Sequence, residues 1–382
     1  MSRSGFDLAL PARISFGAGR ADELPGIVAA LGARVLVVTG STPARVEHLL
    51  APLRAGADAL AIVTVAGEPS VDDARAATSA GVSIDAAVVV AIGGGSPIDL
   101  AKATAMLLAN GGDPLDYIEV VGRGQPITRP SVPVVAVPTT AGTGSEVTAN
   151  AVLGVPDGRV KASLRHASMI PRHALVDPAL TLDCPPAVTA AAGMDALIQC
   201  LEPYVSNRAN PLTDGWARTG LMAAGRSLRP AFENGADLAA RTDMALCSLM
   251  GGLALANAKL GAVHGFAGVI GGMTGAPHGA VCAALLAPVV AANLARSESS
   301  VRTRYTEVAQ WLTGDPGASP EDGLAWITGT VGALGIAALS SYGLGPAQAD
   351  EVVAGAARAS SMQGNPVRLD VAELHAIYRA AL

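Results

Sequence analysis

The first half of the chain is marked by short runs of β-branched and small apolar residues that alternate with helical patterns. The runs lie at 34–39, 60–65, 86–92 and 133–138, and helical patterns fill 43–54, 70–82 and 97–109. Strands that are apolar on both faces and alternate with helices are typical of a parallel sheet covered on both sides. The first half therefore predicts an α/β fold built on a parallel sheet.

The second half shows no strand-like run after about residue 178. Helical spacing of small apolar residues follows instead, at 186–204, 211–230, 237–257, 279–297, 300–313, 321–334, 346–357 and 370–381. The boundary is expected near Asp177-Pro178, after a last strand-like piece at 174–176. The 382 residues thus predict an α/β domain at 1–178 and an all-α domain at 179–382. The cleft between two such domains is the default place for a ligand.

Charge and composition exclude several classes of protein. The net charge is −6 and the pI is about 5.5, so the chain lacks the basic surface that nucleic-acid binding needs. Hydrophobic residues make up 50% and charged residues 15%, which argues against disorder. The four cysteines form no C-x-x-C pair, which argues against a disulfide framework or a cysteine-type zinc site. They are interpreted as small buried residues in a reducing cytoplasm.

No targeting segment or membrane span is expected. The residues before Arg13 lack the apolar core of a signal peptide. Residues 260–295 carry no Asp, Glu, Lys or Arg, but His264, several glycines and Pro277 interrupt them. A membrane span requires about 20 consecutive apolar residues. We interpret this stretch as buried backbone that lines a site.

A glycine triplet at 93–95 follows the third strand and opens a helix. Ser96 suits the N-cap, Pro97 suits the first helical position, and Asp99 can complete a capping box. Glycines expose backbone N–H groups, and a helix N-terminus adds partial positive charge. The triplet therefore predicts a phosphate-binding loop, although it is not the G-x-G-x-x-G pattern.

A second loop, PTTAGTGSE at 138–146, follows the fourth strand. Its hydroxyl groups and glycines offer hydrogen bonds to an anion or a ribose. Because the carboxyl ends of parallel strands meet at one edge of a sheet, both loops are expected to leave the same edge.

Possible metal ligands are scattered through the helical half. Asp195 lies in an alanine-rich helical stretch, and Gln199 lies four residues on, on the same helix face. His264 and His278 fall in the stretch without charged residues. A carboxylate and two imidazoles suit a divalent transition metal with one position open. Taken alone, each histidine is more simply explained as a hydrogen-bonded core residue, and composition does not pair either of them with Asp195.

These motifs together resemble the iron-containing (group III) alcohol dehydrogenase family, over nearly the whole chain. The matching segments, in family order, are GGGSPIDLAK (93–102), PTTAGTGSEVT (138–148), DP with LT (177–181), GMDAL with Glu202 (193–202), and His264 with PHG (277–279). The resemblance implies a dinucleotide-binding domain at 1–178 and a helical metal- and substrate-binding domain at 179–382. It also implies NAD(P)-dependent interconversion of an alcohol and an aldehyde or ketone, in which a divalent metal polarises the substrate oxygen.

The resemblance further implies roles for individual residues. Asp195, His264 and His278 would be catalytic and, with Gln199, would bind Fe²⁺ or Zn²⁺. The cofactor would contact Gly40, Ser41, Gly93, Gly94, Gly95, Ser96, Asp99, Thr139, Thr140, Thr143, Ser145 and Lys161, and the substrate pocket would include Asn150 and Phe266. Gln199 replaces a histidine ligand of the family, and Gly268 replaces a histidine proposed there as a proton relay. Three strong ligands suffice in the related glycerol dehydrogenases, whereas maleylacetate reductases work without metal.

The end of the first strand bears on the choice of cofactor. An acidic residue there binds the ribose 2′-OH of NAD and repels the 2′-phosphate of NADP. This chain has Gly40, Ser41 and Thr42 at that point and no carboxylate until Glu47. We therefore expect NADPH to be accepted and preferred by a modest margin.

The remaining expectations concern partners and competing functions. The family resemblance implies a cytoplasmic homodimer that acts on a small-molecule alcohol or aldehyde, with no nucleic-acid or membrane partner. A metal-independent maleylacetate-type reductase is the first alternative. A dehydroquinate synthase-like lyase, whose metal set is also a carboxylate and two histidines, is the second.

Overall fold

The computed structural model describes residues 5–118, 121–155 and 160–382. Its strands are β1 Arg13–Phe16, β2 Arg34–Gly40, β3 Ala59–Val65, β4 Val88–Gly93, β5 Val134–Pro138, β6 Asn150–Val155, β7 Val160–Arg165 and β8 His173–Val176. Six strands form one parallel sheet in the order β1-β8-β5-β4-β2-β3, and β6 pairs with β7 in antiparallel fashion. The predicted parallel sheet is thus confirmed.

Helices cover both faces of this sheet. They are α1 Leu24–Ala29, α2 Glu47–Gly56, α3 Val71–Ser83, α4 Gly95–Asn110 and the short α5 Pro114–Tyr117. Alternate residues of β2 point to opposite faces, as in any strand. Val35 and Val37 pack with the buried side chains of α1 and α2, whereas Leu36 and Val38 pack with those of α3 and α4. The continuous apolar runs are therefore explained by burial on both faces, and the α/β fold class is confirmed.

The sequence patterns did not predict β1, β6, β7, α1 or α5. β1 and α5 have four residues each, too few for a periodic pattern to emerge. In β6 only Ala151 and Leu153 are fully buried, and Gly154 interrupts its short apolar run with a residue of low strand propensity.

The start of α4 differs from the prediction. Ser96 is not the N-cap, because the helix begins at Gly95 with Gly94 as its cap. Asp99 closes no capping box. Its two carboxylate oxygens instead accept hydrogen bonds from the backbone N–H of Val152 and the hydroxyl of Ser145. Gly93 and Gly94 allow the chain to turn directly into the helix, so no side-chain cap forms.

The chain after residue 181 is helical throughout its regular structure. Its α-helices are α6 Pro186–Val205, α7 Pro211–Glu233, α8 Leu238–Asn257, α9 Ala262–Thr274, α10 His278–Arg296, α11 Ser299–Thr313, α12 Pro320–Ala333, α13 Ala349–Arg358 and α14 Val371–Ala381. All eight predicted helical segments are present. They enclose one large core of small and medium apolar side chains.

Helix α9 was not predicted as a helix. Gly265, Gly268 and Gly271 lower its intrinsic helix propensity. Its apolar face nevertheless buries Val263 and Phe266 completely, and this packing outweighs the local preference. The first part of the stretch interpreted as buried backbone is therefore a buried helix, α9.

Two described helices, α8 and α10, are long and apolar enough to cross a membrane by length and composition alone. Of their most apolar windows, 61% and 50% are buried inside the protein. Core helices of globular proteins pass the same test, and this burial is typical of them.

Backbone contacts divide the chain into two compact units. The sheet unit comprises Ala9–Thr140 and Ser145–Thr181. The helical unit comprises Leu182–Leu382, Ala141–Gly144 and the described residues up to Leu8. Ala141–Gly144 of the second loop therefore belong to the helical unit, although the residues on either side belong to the sheet unit. Gly144 packs tightly against α8, because a Cβ there would lie 2.4 Å from the Cα of Gly252.

Candidate active site

Helix α6 presents the first two candidate ligands. Asp195 and Gln199 lie one turn apart, so their side chains share a face. The Gln199 amide nitrogen donates a hydrogen bond of 2.8 Å to Asp195 Oδ2. Both side chains are buried, with exposures of 2% and 4%. The amide thus orients the carboxylate and leaves Asp195 Oδ1 for another partner.

His264 lies in the first turn of α9 and is held by Glu202 of α6. The distance from His264 Nδ1 to Glu202 Oε2 is 2.6 Å, and Glu202 Oε1 accepts a hydrogen bond from the backbone N–H of Val263. A carboxylate on one ring nitrogen fixes the tautomer that leaves the other nitrogen for a metal. That other nitrogen, Nε2, lies 3.5 Å from Asp195 Oδ1.

His278 opens α10, which packs tightly against α6 at this point. A Cβ at Gly279 would lie 2.2 Å from the carbonyl oxygen of Ala191, so only glycine permits this approach. The approach brings His278 Nε2 to 3.9 Å from Asp195 Oδ1. The His278 side chain is 37% exposed, so the site can be reached from solvent.

Cys282 completes a group that we call the ligand cluster: Asp195, Gln199, His264, His278 and Cys282. One ligand atom from each of Asp195, His264, His278 and Cys282 lies within 4.8 Å of all the others. Sequence reasoning missed Cys282. The available signal was its position four residues after His278, on the same helix face.

The cluster fits a divalent cation. Among the described residues, four buried side-chain nitrogen or oxygen atoms have no hydrogen-bond partner, and three belong to the cluster: Asp195 Oδ1, Gln199 Oε1 and His264 Nε2. The 3.5 Å between the first and the last is too long for a well-formed hydrogen bond. Leaving buried polar atoms unsatisfied costs about 1–3 kcal/mol each. Oxygen and imidazole nitrogen atoms converging on one point are the donors that Zn²⁺ and Fe²⁺ take.

The protonation of the cluster is strongly shifted. Burial lowers the pKa of His264, but its contacts with Asp195 and Glu202 outweigh that effect and raise the pKa to about 10. Burial raises the pKa of the Cys282 thiol, and the negative charges of Asp195 and Glu202 raise it further. A proton and a metal cation therefore compete for the same ligand atoms.

The predicted cofactor loops lie side by side at the carboxyl edge of the sheet. Gly93 of β4 is in register with Pro138 of β5, and the Thr139 N–H donates to the Gly93 carbonyl at 2.9 Å. A Cβ at Gly93 would lie 2.6 Å from Cγ of Pro97, so the turn into α4 requires glycine. Thr140 touches the same turn, since a Cβ at Gly94 would lie 3.0 Å from its hydroxyl oxygen. We call these two loops, with the end of β2, the sheet edge.

Asp99 and Ser145, both predicted as cofactor contacts, are bonded to each other. The fully buried Lys102 supports them, because its Nζ donates to the Ser145 carbonyl and to the Thr148 hydroxyl, both at 3.0 Å, and lies 3.1 Å from Asp99 Oδ1. Burial lowers the pKa of Lys102, while Asp99 opposes that shift. These side chains hold the second loop against α4.

The end of β2 lies beside the glycine triplet. Thr39 pairs with Ile92, so Gly40 is placed next to the strand that ends at Gly93. A Cβ at Gly40 would meet no atom within 4 Å, and Ser41 is exposed. The sheet edge is therefore open at the position predicted to meet the adenosine ribose.

Four other predicted site residues have varied surroundings. Lys161 forms a 2.5 Å ion pair with Glu68, the half-buried Asn150 begins β6, and Thr143 is exposed. Phe266 is fully buried in the core of the helical unit, so in this structure it packs the core and lines no open pocket.

Comparison with known proteins assigns the family. A sequence profile of the iron-containing alcohol dehydrogenases matches residues 11–178, and the profile of that family's C-terminal domain matches residues 189–382. The chain belongs to the iron-containing alcohol dehydrogenase family. The predicted family resemblance is thus confirmed.

Several known proteins are similar to this chain. Alcohol dehydrogenase 4 of Saccharomyces cerevisiae is 40% identical over 235 residues, which cover 62% of this chain and 59% of the yeast protein. Long-chain-alcohol dehydrogenase 1 of Geobacillus thermodenitrificans is 37% identical over 73% of this chain and 71% of its own. The crystal structure of a 1,3-propanediol oxidoreductase superposes with a TM-score of 0.93 at 31% identity, covering 99% of this chain and 100% of that chain.

Two positions of this family member stand out against the pattern described above. Gln199 occupies the first-histidine position, and its amide orients Asp195. Gly268, at the position of the proposed relay histidine, is exposed, and a Cβ there would meet no atom within 4 Å. The backbone of α9 thus has room for a side chain that this sequence does not supply.

Proposed function

We propose that this chain is an NAD(P)-dependent oxidoreductase that interconverts an alcohol and an aldehyde or ketone by hydride transfer, with a divalent metal at the ligand cluster. The observation that carries the proposal is the set of buried, unpartnered atoms at Asp195, Gln199 and His264. A metal-independent reductase would have no use for such a group, so we favour the metal-dependent reading. Membership of the iron-containing alcohol dehydrogenase family supports the same choice.

Asp195, His264 and His278 would hold Fe²⁺ or Zn²⁺, with the Gln199 amide close by. A divalent ion bound there supplies a Lewis acid for the substrate oxygen. Asp195 contributes the negative charge, and Gln199 orients it through the 2.8 Å hydrogen bond. With the ion bound in place of the second proton, Glu202 would hold the remaining proton of His264 on Nδ1, so that Nε2 presents its lone pair. The exposed flank of His278 leaves the site accessible to a small molecule.

The sheet edge would bind the dinucleotide. The backbone N–H groups at Gly93, Gly94, Gly95 and Ser96, at the start of α4, suit the pyrophosphate. Thr139 and Thr140 add hydroxyl groups beside it. We propose a modest preference for NADPH, because the space around Gly40 and the exposed Ser41 can accept a 2′-phosphate.

The names of the relatives indicate the general class of substrate. Their names include 1,3-propanediol dehydrogenase, 4-hydroxybutyrate dehydrogenase and long-chain-alcohol dehydrogenase. We propose a small-molecule alcohol and its aldehyde as the substrate pair of this chain.

The test begins with elemental analysis of protein purified without chelator, followed by a panel of aldehydes with NADH and with NADPH. We expect about one divalent ion per chain and net oxidation of the reduced cofactor by at least one aldehyde. Metal-loaded protein that consumes neither cofactor with any aldehyde would contradict the proposal and favour a lyase.

We also propose a cytoplasmic homodimer. Light scattering at micromolar concentration should give twice the 38.0 kDa chain mass. A monomer mass under those conditions would reject the dimer.

A further inference from the structure

Cys282 is not one of the residues that family resemblance marks for metal binding. It lies in α10 one turn after His278, and its side chain is fully buried. Its Sγ lies 3.6 Å from His278 Nε2 and is one of the four ligand atoms that lie within 4.8 Å of one another. Two (i, i+4) pairs therefore face the same point: Asp195 with Gln199, and His278 with Cys282.

Two separations within the cluster match those of a tetrahedral metal site. Bond lengths of about 2.3 Å to sulfur, 2.05 Å to nitrogen and 2.1 Å to oxygen put sulfur about 3.6 Å from nitrogen, and nitrogen about 3.4 Å from oxygen. The observed distances are 3.6 Å between Cys282 Sγ and His278 Nε2, and 3.5 Å between His264 Nε2 and Asp195 Oδ1. The third pair, His278 Nε2 and Asp195 Oδ1, is about 0.5 Å longer than the ideal, at 3.9 Å. The Cys282 thiol thus lies within hydrogen-bond distance of the His278 nitrogen that a metal would take, so both ligand atoms face the same point.

Gln199 is the weaker candidate for the fourth ligand. Its amide nitrogen is committed to Asp195 Oδ2, which gives it an orienting role. Its amide oxygen is neutral, whereas a thiolate is charged and is a preferred ligand of Zn²⁺. The chain that lacks the family's first histidine ligand on α6 therefore carries a stronger donor on α10.

We propose that Cys282 supplies its thiolate as the fourth protein ligand of the metal, giving an Asp–His–His–Cys set that favours Zn²⁺. The inference rests on the metal-dependent function proposed above. As the sulfur–metal bond forms, the thiol proton leaves to solvent. The substrate oxygen would then be a fifth ligand, a coordination number that some catalytic zinc sites reach. Cys282 thereby departs from the interpretation of all four cysteines as inert core residues.

The test is X-ray absorption at the zinc edge of the full-length, zinc-loaded protein. We expect a sulfur neighbour at about 2.3 Å in addition to nitrogen and oxygen neighbours at about 2.0–2.1 Å. A wild-type spectrum with nitrogen and oxygen neighbours alone overturns the proposal. This measurement needs no variant, so a folding defect cannot obscure it.

Variants assign the sulfur. Cys282→Ser should bind zinc at least about tenfold more weakly and should show no sulfur neighbour. Cys247→Ser is the matched control, since Cys247 is equally buried in the same unit and faces Cys200 at 4.0 Å between their sulfurs. It should keep the sulfur neighbour. A sulfur neighbour that persists in Cys282→Ser overturns the assignment.

Activity of the same samples separates this inference from the proposed function. Zinc-loaded protein that reduces an aldehyde but shows no sulfur neighbour defeats the role of Cys282 alone. Protein with the sulfur neighbour that consumes neither NADH nor NADPH defeats the proposed function and supports the ligand set.

Discussion

The sheet edge and the ligand cluster are constructed in opposite ways. The sheet edge consists of loops that are continuous in sequence, offers backbone groups, and has open space at Gly40. The ligand cluster draws side chains from three helices, all of them buried except His278, and three of its atoms have no hydrogen-bond partner. A substitution at the edge should therefore change cofactor binding only modestly, because the edge offers mainly backbone groups and has open space at Gly40. A substitution in the cluster should abolish function, because the ligand atoms act together and the loss of one weakens metal binding by the others.

The largest effect is expected for Asp195→Ala, which removes the only ligand-cluster carboxylate. Losing the metal should cost several kcal/mol of transition-state stabilisation, so kcat/KM should fall roughly a thousandfold, equivalent to about 4 kcal/mol. Metal content, measured on the same sample, should fall with it. The exposed Asp183, in the same unit, provides the control Asp183→Ala. Unchanged metal content and activity in Asp195→Ala would remove the basis for the cluster.

Glu146, a buried carboxylate at the sheet edge, is expected to affect stability rather than metal binding. Burial raises the pKa of Glu146 to about 7, from an ordinary value of 4.5. Between these two pH values the folded state holds a proton that the unfolded state has lost, so stability falls as pH rises through this window. Above about pH 7 the cost is constant.

The variant Glu146→Gln should remove this cost. Its free energy of unfolding should match that of the wild type near pH 4.5 and exceed it by roughly 3 kcal/mol at pH 8. Urea unfolding at the two pH values measures the difference. The exposed Asp58→Asn is the control and should change neither value. A gain that is the same at both pH values would show that ionisation of Glu146 is not its source.

How far the sequence could predict each region follows from the same contrast. The sheet edge was predictable because each loop is a contiguous string next to an apolar strand, as at 93–96 and 138–146. The role of Asp99 was not, because its partners Ser145 and Val152 lie about fifty residues away in the sequence and are brought to it only by the fold. The strand β6 escaped prediction because Gly154 lowers its strand propensity, and β7 because Lys161 and Ser163 interrupt its apolar residues.

The ligand cluster could be predicted only through resemblance. Asp195, His264 and His278 gave no pairing signal by themselves, and their role as ligands stays a prediction that the geometry supports. Cys282 lies in a helix of alanine, valine and leucine, where a cysteine is most simply explained as a core residue. Only the meeting of α6, α9 and α10, which depends on the close approach at Gly279, places its sulfur beside the others.

Glu202→Gln tests whether the cluster depends on the residue that orients His264. Glu202 accepts two hydrogen bonds, from Val263 N–H and from His264 Nδ1–H. A glutamine can accept only one of them, and its NH₂ group would force the other donor away or move the His264 proton to Nε2. Metal affinity, measured by chelator competition, should fall about 10–100-fold. The exposed Glu298→Gln is the control. Unchanged affinity would show that His264 is oriented by packing alone.

The smallest effect is expected at the sheet edge, for Gly40→Asp. A carboxylate there can accept a hydrogen bond from the ribose 2′-OH and repels a 2′-phosphate, and a Cβ at this position meets no atom within 4 Å. We therefore expect kcat/KM for NADPH to fall about tenfold, or roughly 1.4 kcal/mol, while the value for NADH is retained. Gly56→Asp adds the same charge at the exposed C-terminal end of α2, three residues before β3 begins. That control should leave both cofactors unaffected. The prediction is wrong if the wild-type enzyme prefers NADH by more than about tenfold. It is also wrong if Gly40→Asp lowers kcat/KM equally for both cofactors, because this end of β2 would then not distinguish the 2′-OH from the 2′-phosphate.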